Sequence, residues 1–203
     1  MTTMMFKRAA LALAVLGAVV LPCAAQAQSG PWLVRARAVN LDSANGGSTT
    51  PDLQLSINNK IILEVDVSYF FTPNFAAELI LTYPQKQSVR SAGTEVGTLK
   101  HLPPTLTAQY HFTGLGAFKP YVGAGLNYTH FSSVNLPAGV DIRRSSTGLA
   151  VQAGVDYEIS KGVLLNLDIK KVQIGTDVRL NGAKIGDFKV DPLLVGVGVG
   201  FRF

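Results

Sequence analysis

The sequence predicts an all-β protein, an eight-stranded antiparallel transmembrane β-barrel. Eight segments alternate apolar residues with polar or small ones, which is the pattern of half-buried strands. After residue 27 no apolar run reaches the roughly 18 residues of a helical membrane span. A closed barrel is the other structure that satisfies its backbone hydrogen bonds inside lipid, so any membrane insertion is expected to take that form.

The first 27 residues have the pattern of a cleaved export signal. Lys7 and Arg8 precede the apolar run 9–21, and Ala25-Gln26-Ala27 provides a small-residue cleavage site. We therefore expect residues 28–203 to form one barrel domain. The single cysteine, Cys23, leaves with the signal, so the mature chain is expected to lack thiol and disulfide chemistry.

The lengths of the connections support strands that run up and down. The alternating segments cover residues 32–40, 61–71, 75–83, 102–112, 122–129, 146–159, 165–170 and 191–203. Short connections at 72–74, 113–119 and 160–162 alternate with long ones at 41–60, 84–101, 132–145 and about 178–189. Because short and long connections alternate along the chain, all short turns lie at one end of the barrel and all long loops at the other, as in outer-membrane barrels.

Charged residues occur on the face of the first three strands that alternation directs inward. They are Arg35, Arg37, Glu64, Asp66 and Glu78. An eight-stranded barrel is just wide enough for side chains, so we expect a cross-strand ion-pair network that fills the lumen. An ion-selective channel is the weaker alternative, because charges of both signs would cancel in a narrow bore.

An apolar path is predicted near the loop end. The first long loop carries Leu53, Leu55 and Ile57 at alternating positions, while Leu33, Ile80 and Leu194 point inward and are expected to line an upper pocket. The prolines at 103 and 104, at the entry of the fourth strand, cannot donate ladder hydrogen bonds. They predict a local opening in the wall, through which an apolar solute could leave sideways into the membrane.

The carboxyl-terminal strand ends with Val199, Phe201 and Phe203 at a period of two. This ending is similar to the closing strand of bacterial outer-membrane barrels. The similarity implies recognition by the barrel-assembly machinery during biogenesis.

Several stretches resemble the outer-membrane protein W family and follow its order. The most specific are residues 102–112, LPPTLTAQYHF, and 119–129, KPYVGAGLNYT. Shorter ones are 32–37, WLVRAR, 68–72, SYFFT, 152–157, QAGVDY, and 200–203, GFRF. The resemblance implies an integral protein of a Gram-negative outer membrane, in contact with lipid and lipopolysaccharide. It further implies passive passage of small hydrophobic molecules.

Two alternatives remain open. A structural or receptor barrel would conduct nothing and use its loops for docking. A lipid A deacylase would use His130 and Ser132 on the outer wall with Asp141 as the nearby acid, a short and unspecific pattern. The interpretation adopted includes no enzyme, cofactor or metal site. Once Lys7 and Arg8 are removed, the net charge falls from +5 to +3, which is too mild to indicate nucleic acid binding.

Overall fold

The computed structural model describes residues 30–203, so the predicted signal peptide and Cys23 lie outside the described residues. The first strands are β1 (Trp32–Asp42), β2 (Gly46–Thr49), β3 (Leu55–Ile57), β4 (Lys60–Phe70) and β5 (Phe75–Thr82). Next come β6 (Gln85–Ser91), β7 (Thr94–Leu102), β8 (Thr105–His111), β9 (Phe118–Asn135) and β10 (Val140–Ile142). The last are β11 (Ser145–Ser160), β12 (Val163–Val172), β13 (Gly175–Leu180), β14 (Ala183–Lys189) and β15 (Leu193–Arg202).

Eight of these strands close into a barrel, as predicted. Around the wall they follow the order β1-β4-β5-β8-β9-β11-β12-β15, every neighbouring pair is antiparallel, and β15 returns to pair with β1. The short connections and the carboxyl terminus lie at one end, here called the turn end. The opposite end, here called the loop end, carries the remaining strands.

Alternation along each barrel strand separates a lipid-type surface from a polar interior. On β4, Ile61 and Leu63 point outward and are 71% and 54% exposed, whereas Glu64 and Asp66, further along the strand, point inward and are buried. Successive side chains of a strand point to opposite faces, so the same phase continues around the wall. The described residues include no helix with the length and hydrophobicity to cross a bilayer.

The long connections are more ordered than the sequence interpretation held. Residues 84–101, expected to form a long connection, form the hairpin β6–β7, whose turn residues Ala92 and Gly93 have φ angles of 46° and 82°. Parts of the other three long connections form a separate four-stranded sheet in the order β10-β13-β14-β2. The turn at Asn181-Gly182, with φ angles of 49° and 85°, agrees with its sequence signal.

The fourth barrel strand begins at Thr105 and not at Leu102, which corrects the predicted boundary. Leu102 ends β7, and the two prolines interrupt the chain because they have no N–H to donate. On one side the wall stays joined, since the Tyr128 amide donates to the Pro104 carbonyl at 3.0 Å. On the other side, the pairing of β5 with β8 ends at Ile80 and Thr105.

Apolar residues pack at both ends of the interior. The larger cluster lies at the loop end and includes Leu41, Ile57, Phe131 and Leu194. The smaller cluster consists of Leu33, Phe70, Ala76 and Leu164 at the turn end.

The position of Leu33 corrects the expectation that it lines the upper pocket. It pairs with Arg202, one residue before the carboxyl terminus, and therefore lies at the turn end. Its inward direction was predicted correctly, but the expected height along the barrel axis was wrong.

Candidate functional site

A charged layer crosses the middle of the lumen, and Arg37 is at its centre. Its Nη1 atom lies 2.8 Å from Glu64 Oε1 and 2.8 Å from Asp66 Oδ2, and its Nη2 atom lies 3.3 Å from Glu78 Oε1. The Nε atom donates to Asn166 Oδ1 at 2.6 Å. These partners come from three further barrel strands, so this one side chain links distant parts of the wall.

Arg35 extends the layer toward the turn end. Two of its nitrogens donate to the two carboxylate oxygens of Asp156, at 3.0 and 2.6 Å. Its Nη1 atom also lies 3.1 Å from Asp66 and 3.4 Å from Glu78. All five residues selected from the sequence thus meet in one buried cluster.

Sequence reasoning omitted Asp156, Asp168 and Lys170 from this network. Lys170 Nζ lies 2.8 Å from Glu64 Oε1 and 3.2 Å from Asp168 Oδ1. The signal was available, because alternation directs all three inward on β11 and β12. Only the closed barrel shows that these late strands face the first three across the lumen.

An aromatic ring helps to fill the same layer. The Tyr121 hydroxyl donates to Asp168 Oδ2 at 2.8 Å, and the Arg35 guanidinium carbon lies 5.0 Å from the centre of the ring. Gly154 makes room for this ring, since a β-carbon there would collide with its hydroxyl end. We call this charged and aromatic layer the lumen floor.

An apolar cavity of about 110 Å³ lies above the floor, inside the loop-end sheets. Leu53 and Leu55 line it, as the sequence interpretation anticipated for the first loop, and Ile57 is buried in the cluster around it. The other lining residues are mostly apolar and come from β6, β7, β9, β10, β13, β14 and the β9–β10 connection, among them Val89, Val96, Leu99, Phe131, Leu136, Val140, Ile142, Val178 and Phe188.

A second cavity of about 20 Å³ lies between the floor and the barrel wall. Ile80 and Leu194 line it, together with Glu64 and Lys170 of the floor. Its lining also includes Pro103, which faces the unpaired end of β5. The interior therefore reaches the wall at the place where a ladder is interrupted, which we call the proline gap.

The His-Ser pattern weighed as a deacylase site does not assemble here. His130 is exposed, while Asp141 Oδ1 accepts a hydrogen bond from Arg144 at 2.8 Å. Among residues 30–203, no side-chain hydrogen bond joins His130 to Ser132 or Asp141. In the same range, no three His, Cys, Asp or Glu side chains form a cluster that could hold a metal ion.

Comparison with known proteins agrees with this geometry. The model of the OmpW family matches residues 28–203. The chain belongs to the OmpW family. Relatives include an uncharacterized outer-membrane protein, y4mB, of Sinorhizobium fredii, 42% identical over 85% of this chain and 80% of the relative. Outer membrane protein W of Escherichia coli is 33% identical over 87% of this chain and 90% of the relative.

A further OmpW-family relative and two solved structures complete the comparison. The dibenzothiophene metabolism operon protein PahQ of Pseudomonas aeruginosa is 27% identical over 87% of this chain and 90% of that protein. The crystal structure of OprG from the same species superposes with a TM-score of 0.76 at 26% identity, covering 87% and 97% of the two chains. The solution structure of E. coli outer membrane protein W gives a TM-score of 0.64 at 30% identity, covering 88% and 100%.

Membership of the OmpW family assigns the membrane. The chain is an integral protein of the Gram-negative outer membrane, and its apolar outer wall contacts lipid. By the architecture of such barrels, the loop end is extracellular and the turn end is periplasmic.

Proposed function

We propose that this barrel lets small hydrophobic molecules pass the outer membrane passively and releases them sideways through the proline gap. The observation that carries the proposal is an apolar cavity placed directly above a charged floor. A hydrophobic solute is favoured to enter this cavity from the extracellular side, because its apolar surface is removed from water there. The floor opposes passage straight through, because its charges would lose partners or hydration.

The proline gap supplies an exit that avoids the floor. The second cavity reaches Pro103, and between the Ile80–Thr105 pair and the Gln85–His101 pair no strand pairing joins the two sides of the gap. A solute that leaves through the gap enters the membrane lipid, which is apolar like the lining of the cavity. The name of PahQ, which refers to metabolism of dibenzothiophene, a small aromatic compound, supports the same substrate class.

Two partners follow from the location of the barrel in the outer membrane. We infer that the exposed apolar band contacts the lipid part of lipopolysaccharide in the outer leaflet. We also infer that Val199, Phe201 and Phe203 are recognised by the barrel-assembly machinery, since Phe203 ends the closing strand and is exposed.

Uptake of p-xylene by Gram-negative cells without an OmpW-family protein of their own tests the function. Cells that express the native chain should take up the compound faster than cells with an empty vector. The variant Leu53→Asn plus Leu55→Asn, which places amides in the cavity, should return uptake to near the empty-vector rate. The matched control Leu115→Asn changes an exposed leucine of the turn end and should keep native uptake.

Folding of each variant is checked by heat-modifiable mobility on gels. Equal uptake by vector, native and cavity-variant cells, with all barrels folded, would contradict transport and favour a structural or receptor barrel.

A further inference from the structure

The inner face of the β6–β7 hairpin carries an unexplained set of buried polar atoms. Gln87 and His101 are no more than 1% exposed, as is Gln85. Eleven buried side-chain atoms of the described residues have no hydrogen-bond partner, and six of them meet here: Thr82 Oγ1, Gln85 Oε1, Gln87 Oε1 and Nε2, and His101 Nδ1 and Nε2. Buried polar atoms are normally paired, and each one left unpaired is costly, so this set indicates that something else binds there.

Strand register places these atoms between the two cavities. Gln87 is opposite Leu99 and Gln85 is opposite His101. Leu99 lines the large apolar cavity, whereas Thr82 and His101 line the small cavity at the proline gap. A solute moving from one to the other therefore passes this polar group, which we call the hairpin polar site.

The hairpin polar site lies just beyond the membrane-spanning part of the barrel, on the loop side of the proline gap. The neighbouring side chains on the outer face, Lys86 and Lys100, are charged and exposed, which excludes contact with the lipid core. Burial, with a smaller contribution from Lys60, lowers the pKa of His101 to about 4. The imidazole is therefore neutral at ordinary external pH, with one nitrogen able to donate and the other to accept.

We propose that the hairpin polar site binds the neutral hydroxyl of a small amphipathic solute, an alcohol or a phenol, whose apolar body occupies the large cavity. The inference rests on the proposed function and specifies its substrate class. A hydroxyl both donates and accepts, and so matches a neutral imidazole and the amide of Gln87. The small cavity, at about 20 Å³, has room for such a head group and not for a larger polar one.

Two compounds of nearly equal shape test the proposal, p-cresol and p-xylene, which differ by a hydroxyl in place of a methyl group. Binding is measured by NMR titration of the native protein in lipid nanodiscs. Each hydrogen bond gained should favour p-cresol by roughly threefold to tenfold, and the Gln87 side-chain amide signal should shift with p-cresol alone. 4-Methylbenzoate, which carries a charge, should bind more weakly than p-cresol.

The variants Gln87→Met and His101→Leu should each reduce the preference for p-cresol, while p-xylene binds as well as before or better. The matched control Gln54→Met changes an exposed glutamine and should retain the native preference. Preservation of the preference in both site variants would overturn the proposal, as would tighter binding of 4-methylbenzoate. If p-xylene binds and p-cresol has no advantage, the polar atoms hold only water and the proposed function stands. If neither compound binds, the proposed function fails as well.

Discussion

At the scale of single residues, the lumen floor depends on pairing that leaves no charge alone. Arg37 and Glu64 are buried and lie 2.8 Å apart, and each also contacts other members of the layer. Breaking a buried pair by removing one partner costs roughly 3–5 kcal/mol, because the remaining charge is left without compensation. The floor is therefore a structural element whose members are coupled.

We expect Arg37→Ala and Glu64→Ala each to lower the free energy of unfolding by about 3–5 kcal/mol. The double variant should cost less than the sum by about 0.5–3 kcal/mol, because the second change removes a charge that has already lost one of its partners. Denaturant titration of the barrel in lipid vesicles measures all three. Arg179→Ala, at an exposed loop-end site, is the control and should change stability by no more than about 0.5 kcal/mol. Strict additivity would show that Arg37 and Glu64 do not share a network.

Individual residues also show what alternation can and cannot predict. Alternation directed Arg35, Glu64 and Leu33 inward, and all three point inward in the structure. It contains no information on height along the barrel axis, which is why Leu33 was expected at the wrong end. The partners of Arg35 include Asp156, 121 residues away, and such a contact follows only from closure of the barrel.

At the scale of elements, strands with one apolar face were predictable and loop-end strands were not. On β4 the apolar and acidic residues separate cleanly, so the strand is visible in the sequence. In the β6–β7 hairpin, both faces carry polar residues, because Gln85, Gln87 and His101 point inward while lysines point outward. The turn at Ala92-Gly93 is also a weaker signal than Asn181-Gly182.

The closing strand provides a prediction about assembly. Phe203 donates to Trp32 O at 2.9 Å, and its own carbonyl accepts from the Trp32 amide at 3.0 Å, so the last residue completes the seam with β1. Deleting Phe203 should lower the amount of folded barrel in the outer membrane several-fold and leave unfolded chain in the periplasm. Quantitative blotting of heat-modifiable protein measures the amount of folded barrel. The control is Phe118→Ala, which changes an exposed aromatic residue at the same end of the barrel. Native levels after the deletion would contradict a role in assembly.

At the scale of the whole molecule, the eight alternating segments predicted the barrel and its strand number, and the alternation of short and long connections predicted its two ends. The extracellular superstructure was missed, since its four-stranded sheet forms from pieces of several loops that are distant in the sequence. That superstructure contains the large cavity, while the proline gap lies just below it. The candidate path is thus a property of the assembled molecule, although Leu53, Leu55 and the two prolines indicated its parts.

Closing the proline gap tests lateral exit most directly. In the variant Pro103→Val, the restored amide can donate to the Thr82 carbonyl and extend the ladder between β8 and β5, and protection of the amides at positions 82 and 103 from hydrogen exchange verifies closure. With the cavity intact and the gap closed, p-xylene uptake should fall to near the rate of cells without the protein, whereas the control Pro73→Val at the turn end keeps native uptake. Native uptake through a barrel with a verified closed gap would contradict lateral exit.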